Sequence, residues 1–118
     1  MGMYTELIFG AELKKDTPNE VIEKLKSMVD GSYSEGRNLF YPHSCYFAVD
    51  QCEPQMYKSE YSGTYVLSTR GNIKNHLNEI EDFLEWIKPY IDTGSGARDM
   101  YAIVIYEEQD EPTIYYLN

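Results

Sequence analysis

Residues 4–13 alternate in character. Leu7, Phe9, Ala11 and Leu13 fall on one face of an extended chain, and Glu6 and Glu12 fall on the other with Ile8 between them. A period of two over this length predicts a strand with one face committed to a core. Gly10 inside it is expected to mark a bulge or the close approach of a neighbouring element. The pattern breaks at residues 14–18 and then takes the period of a helix. Val21, Ile22, Leu25, Met28 and Val29 form an apolar stripe to about Val29, and Gly31 offers a stop. Lys24 and Lys26 fall on the outward side, where solvation is their expected role. Thr17-Pro18-Asn19-Glu20 supplies a start, with Thr17 as N-cap, Pro18 at the first helical position and Glu20 three residues beyond the cap.

Residues 32–38 are small and polar, and read as a loop. Pro42 keeps residues 40–42 out of a central ladder position. Residues 44–49 read as a strand, and residues 50–62 as a surface loop carrying one short turn or strand. Residues 63–69 are rich in β-branched and aromatic side chains and read as the next strand, ended by Arg70-Gly71-Asn72. Asn75 is a candidate cap for a second helix, whose stripe is Leu77, Ile80, Phe83, Leu84, Ile87 and Ile91, with Trp86 at its edge. Pro89 ends or kinks that helix near Lys88. Residues 92–98 form a glycine-rich connection. Residues 101–106 and 113–117 then pair as a hairpin across an acidic turn at residues 107–112.

The resulting order is β-α-β-β-α-β-β. Neither helix can bury its own stripe, so each must cover a sheet face. The expected fold class is α+β, a mostly antiparallel sheet with two helices on one face. This is a ferredoxin-like β-α-β-β-α-β arrangement plus a C-terminal hairpin strand, in a single domain over residues 1–118.

Composition narrows the function. Twenty acidic against ten basic residues give a formal net charge of -10, which disfavours direct binding to nucleic acid or to an anionic membrane. No run of about 20 apolar residues spans a bilayer and no leader pattern opens the chain, so a cytoplasmic location is expected. Twelve tyrosines are many for this length, and combine apolar area with a polar tip suited to sheet rims and interfaces.

Candidate chemistry is sparse. His43, Cys45 and Cys52 have a metal-like flavour, but they are three ligands in a spacing that matches no zinc signature, and two cysteines do not make a disulfide scaffold. Glu81 and Glu85 can share a helix face, yet that face lies opposite the apolar stripe, where solvation explains them. His76 stands at a helix entrance without a paired nucleophile, and Ser95 between two glycines lacks the pattern of a nucleophile elbow. Phosphate-loop, dinucleotide and Cys-x-x-Cys motifs are absent, so no cofactor is expected. The alternative is an enzyme with a dispersed site drawn from His43, Asp50, Glu53, His76 and nearby acids.

A binding role is favoured. The first candidate surface is the turn carrying Glu107, Glu108, Asp110 and Glu111, with Tyr106, Tyr115 and Tyr116 beside it, suited to a basic partner protein. Alternation places Tyr115 and Tyr116 on opposite faces. A second candidate is the segment with Tyr57 and Tyr61. An exposed strand at residues 113–117 could also pair with a second copy in a homodimer.

Tyr4-Thr5-Glu6-Leu7-Ile8-Phe9-Gly10, Leu13-Lys14-Lys15-Asp16-Thr17-Pro18, Phe83-Leu84-Glu85-Trp86-Ile87-Lys88-Pro89-Tyr90, Tyr106-Glu107-Glu108 and Glu111-Pro112-Thr113-Ile114 resemble small uncharacterised proteins encoded by phages and prophages of Gram-positive bacteria. The resemblance implies a phage or prophage origin in a bacterial host cell, and the acidic turn then points to a basic host or phage protein as the partner. Small phage proteins include assembly factors and inhibitors of host defence. It carries over no catalytic or binding residue.

Overall fold

The alternation at the start of the chain becomes the central strand of the sheet, β1 (Thr5–Glu12). The structure is a computed structural model and describes residues 4–36, 38–40, 54–92 and 99–117. After β1 come α1 (Asn19–Asp30), β2 (Gln55–Lys58), β3 (Tyr65–Ile73), α2 (Glu79–Ile87) with a 3-10 turn at Lys88–Tyr90, β4 (Met100–Tyr106) and β5 (Thr113–Tyr116). The five strands lie in the order β2-β3-β1-β4-β5 and every neighbouring pair is antiparallel. This is an α+β domain consistent with a ferredoxin-like β-α-β-β-α-β arrangement, extended by β5 outside β4.

Leu7 and Phe9 of β1, Leu67 of β3, and Ala102 and Val104 of β4 share the core with Val21, Ile22, Leu25 and Met28 of α1 and Ile80, Phe83, Leu84 and Ile87 of α2. Both helical stripes thus close on the sheet, and Leu25 and Leu84 are buried. Edge-on aromatic contacts tie the layers. Phe83 meets Phe9 at 5.4 Å and Phe40 at 5.5 Å between ring centroids, and Phe9 meets Tyr101 at 6.3 Å. A bridge between Leu13 and Ile91 fastens the chain after each of β1 and α2.

Several local expectations are corrected. Thr17 does not cap α1. Its hydroxyl turns back to donate to the Lys14 carbonyl at 2.6 Å, and Pro18 takes the extended N-cap position with its carbonyl receiving Val21 N–H at 3.0 Å. Gly31 does end α1, in the left-handed region at φ 84°. Gly10 marks neither a bulge nor a close approach: it pairs in register with Ser68 and has open space where a side chain would stand. The register shift lies instead in β4, between Met100 and Ala102.

β3 does not stop at Arg70-Gly71-Asn72. It runs on to Ile73, held by the whole length of β1 from Thr5 opposite Ile73 to Glu12 opposite Val66. Gly71 lets the Leu39 backbone lie directly against the strand. The second strand of the sheet is Gln55–Lys58, inside the stretch expected to carry a short turn or strand. Residues 44–49, expected as a strand, lie outside the described residues. Leu77 leaves the stripe of α2: it precedes the helix and is 69% exposed. Glu6 is buried on the sheet face away from the helices, opposite buried Asn72.

Candidate binding site at the acidic hairpin

β4 and β5 form the expected hairpin, with Val104 opposite Thr113, Ile103 opposite Ile114 and Ala102 opposite Tyr115. The turn between them is exposed throughout residues 107–112. Four carboxylates so close repel one another in a low dielectric, so the turn stays in water. Its position is nevertheless fixed. Tyr4 N–H donates to Glu107 Oε2 at 2.9 Å, Glu107 N–H donates to the Tyr4 carbonyl at 3.1 Å, and Gln109 N–H donates to the Tyr106 carbonyl at 3.0 Å. No lysine or arginine among the described residues forms an ion pair with Glu107, Glu108, Asp110 or Glu111.

The hairpin extends the sheet past α2 and leaves a cleft of about 640 Å³ on the helix-bearing side. Thr5, Val104, Tyr106, Thr113 and Tyr115 come from the strands, Gln109 from the turn, Lys74, Asn75 and His76 from the segment before α2, and Glu81 from its first turn. Asn75 organises the far wall. Its Oδ1 accepts Ile80 N–H at 2.8 Å from outside the helix, the N-cap position itself falling to Asn78 rather than to Asn75 as expected, while its Nδ2 donates to Glu81 Oε1 at 2.8 Å. Asn75 holds φ 53°, a left-handed conformation that asparagine tolerates.

Tyr115 faces the cleft and Tyr116 the opposite sheet side, as alternation requires. The tyrosines expected beside the turn therefore divide, with Tyr106 and Tyr115 in the cleft and Tyr116 exposed behind it. Burial pushes the Tyr115 phenol up, and the charge of Glu81 adds to the rise. Burial likewise raises Tyr101, whose ring meets Tyr115 at 6.2 Å. Both phenols thus remain hydrogen-bond donors across the neutral range. The cleft offers ring area, hydroxyl donors, two basic side chains and one anchored carboxylate.

Glu81 and Glu85 separate as candidates. Glu85 is exposed, whereas Glu81 is half-buried in the cleft rather than simply solvated. His76 is exposed at the cleft edge. Lys74, Gln109, Thr5 and Thr113 were not readable as one site, because they lie on four separate segments; Asn75, His76, Glu81, Tyr106 and Tyr115 each carried a local signal, but none that joined them. Tyr57 and Tyr61 are both exposed, Tyr57 on edge strand β2 and Tyr61 at the tip of the turn that follows. His43, Cys45, Asp50, Cys52, Glu53 and Ser95 lie outside the described residues. Among the described residues, no group of three or more His, Cys, Asp or Glu is placed to hold a metal ion, and no helix is long and apolar enough to cross a membrane.

Fold and cleft together define a small acidic α+β protein of ferredoxin-like arrangement, with an anchored acidic hairpin beside an open polar cleft. No family model, curated protein or solved structure matches the chain.

Proposed function

We propose that this protein is a non-enzymatic binding module that presents Glu107, Glu108, Asp110 and Glu111 to a basic surface of another protein. The observation that carries the reading is a carboxylate turn that is exposed, held in place at Tyr4, and unneutralised by any described lysine or arginine. Anchoring lowers the ordering loss on association, and the like charges steer a basic partner toward the hairpin. Tyr106 and Tyr115 in the adjoining cleft supply the apolar contact that charge alone lacks. The similarity to phage and prophage proteins supports a setting in the bacterial cytoplasm and a basic host or phage protein as partner. A net charge of -10 supports the same electrostatic sign.

Capture from host and phage-infected lysates, followed by binding measurements on the recovered partner, tests this. Affinity should fall steeply between low and high salt. The triple variant Glu108→Gln/Asp110→Asn/Glu111→Gln, which leaves the Glu107 anchor intact, should weaken binding about ten-fold at low salt. Equal affinity at both salt concentrations, or an unaffected triple variant, rejects the mechanism.

A second reading takes His76 and Glu81, which line the same cleft, as members of a dispersed acid–base site for a small polar or cationic substrate. It predicts a turnover that His76→Gln abolishes. A homodimer through β5 is a further alternative, supported by its position at the sheet edge. Concentration-independent sedimentation as a monomer rejects it.

A further inference from the structure

A second cavity, of about 330 Å³, opens between the two helices, away from the hairpin. Its floor is apolar, with Met28, Leu39 and Phe83 buried, and Tyr33 and Trp86 add half-buried rings. Glu79 and Asp82 of α2 stand at its outer side, Asp82 exposed and Glu79 half-buried. One cation already occupies it. Lys24 Nζ lies 4.6 Å from the centroid of the Trp86 ring and 5.9 Å from that of Tyr33. Expected on the solvated side of α1, Lys24 is instead half-buried, and its ammonium forms no ion pair or side-chain hydrogen bond among the described residues. Ring faces, rather than carboxylates, hold it there.

We propose that this groove is a binding site for an alkylated ammonium group, and that Lys24 is the resident cation such a ligand displaces. The chemistry selects this class. Electron-rich ring faces attract a positive charge without supplying hydrogen-bond acceptors, so a quaternary or methylated amine, with few or no N–H groups to satisfy, loses least on entering. A guanidinium would bury donors against Met28 and Leu39. Glu79 and Asp82 place negative charge at the mouth, where a bound cation gains from it. Lys24 rides on a flexible stem and can swing back to solvent when a ligand arrives. The site is separate from the hairpin and does not depend on the protein-binding proposal.

Trp86 is the sole tryptophan of the chain, so its fluorescence reports on the site directly. Tetramethylammonium, choline and a peptide carrying trimethyl-lysine are titrated into the full chain, with potassium chloride as the control for ionic strength. Saturable quenching is expected, about three-fold to five-fold tighter in Lys24→Ala, which clears the ring face on a helix that alanine favours. Calorimetry should show binding weakened in Trp86→Phe and lost in Trp86→Leu. Circular dichroism and the thermal midpoint establish that each variant is folded. Saturation by choline without the peptide assigns a free small molecule, and saturation by the peptide alone assigns a protein-borne side chain. No saturation by any probe in Lys24→Ala overturns the site, as does calorimetric binding that Trp86→Phe leaves unchanged. Equal affinity in wild type and Lys24→Ala overturns the role of Lys24.

Discussion

A methyl group added at Gly71 would stand 1.7 Å from the Leu39 carbonyl oxygen, whereas one added at Gly10 would meet nothing within 4 Å. The obstacle at Gly71 is backbone, which cannot rotate aside. Gly71→Ala should therefore cost about 3 kcal/mol or more of stability, at the upper end of overpacking effects. Gly10→Ala should be neutral or stabilising by about 0.5 kcal/mol, since the added methyl restrains the unfolded chain. Denaturant midpoints of the two variants check this contrast. In the sequence the two glycines are indistinguishable, because the contact that separates them comes from a residue 32 positions earlier. Glu12 poses a question of pH. The hydroxyls of Thr64 and Ser62 hydrogen-bond its carboxylate and hold it below the usual carboxylate range, against a smaller opposing effect of burial. A depressed folded-state value adds stability at neutral pH that is lost as pH falls through it. Thr64→Val should raise the Glu12 titration midpoint, followed by NMR of its carboxyl carbon, and reduce the stability lost between neutral and acidic pH. An unmoved midpoint would remove Thr64 as the cause.

Among the elements, the helices were the most legible and β2 the least. Val21, Ile22, Leu25 and Met28, and Ile80, Phe83, Leu84 and Ile87, repeat at helical spacing and are buried where that spacing puts them. β2 turns only Met56 toward the core, so its alternation is one residue deep and leaves no period to recognise. β3 was read too short because Arg70-Gly71-Asn72 lacks strand-forming side chains, and pairing along the whole of β1 outweighs that local preference. Helix starts were harder. Thr17 carries the residue type of a cap without its geometry, while Asn75 lies three residues before the N-cap Asn78 and still satisfies the Ile80 amide of the first turn. Asn75→Gly keeps the left-handed backbone and removes both side-chain bonds, so the loss reports the bonds rather than strain. It should destabilise by about 1 kcal/mol. Thermal unfolding measures it, and an unchanged midpoint would mean that the Ile80 amide is equally well served by water.

For the whole molecule, charge and topology act separately. Ten surplus negative charges repel one another, and the described residues contain a single lysine–carboxylate bridge, Lys26 to Glu23 at 4.0 Å on the surface. Added salt should therefore raise the thermal midpoint by a few degrees through screening. A fall on adding salt would show that favourable ion pairs prevail instead. The acidic hairpin was legible because its strands, turn and charges are contiguous. The cleft beside it was not, since Thr5, His76, Glu81 and Tyr115 meet only after the sheet has formed. The same holds for the groove holding Lys24, where spacing along α1 points the side chain outward and only the neighbouring α2 supplies the ring it rests on.

The place of β1 between β3 and β4 has a consequence for biosynthesis. β1 is translated before both of its neighbours and must wait for them, and the second of them is Met100–Tyr106. On the ribosome, residues 5–12 thus emerge with both hydrogen-bonding edges bare, and their lasting partners are still unmade. Closure over so long an intervening stretch is slow. During that interval the nascent segment is a natural target for chaperones that grip extended apolar chain.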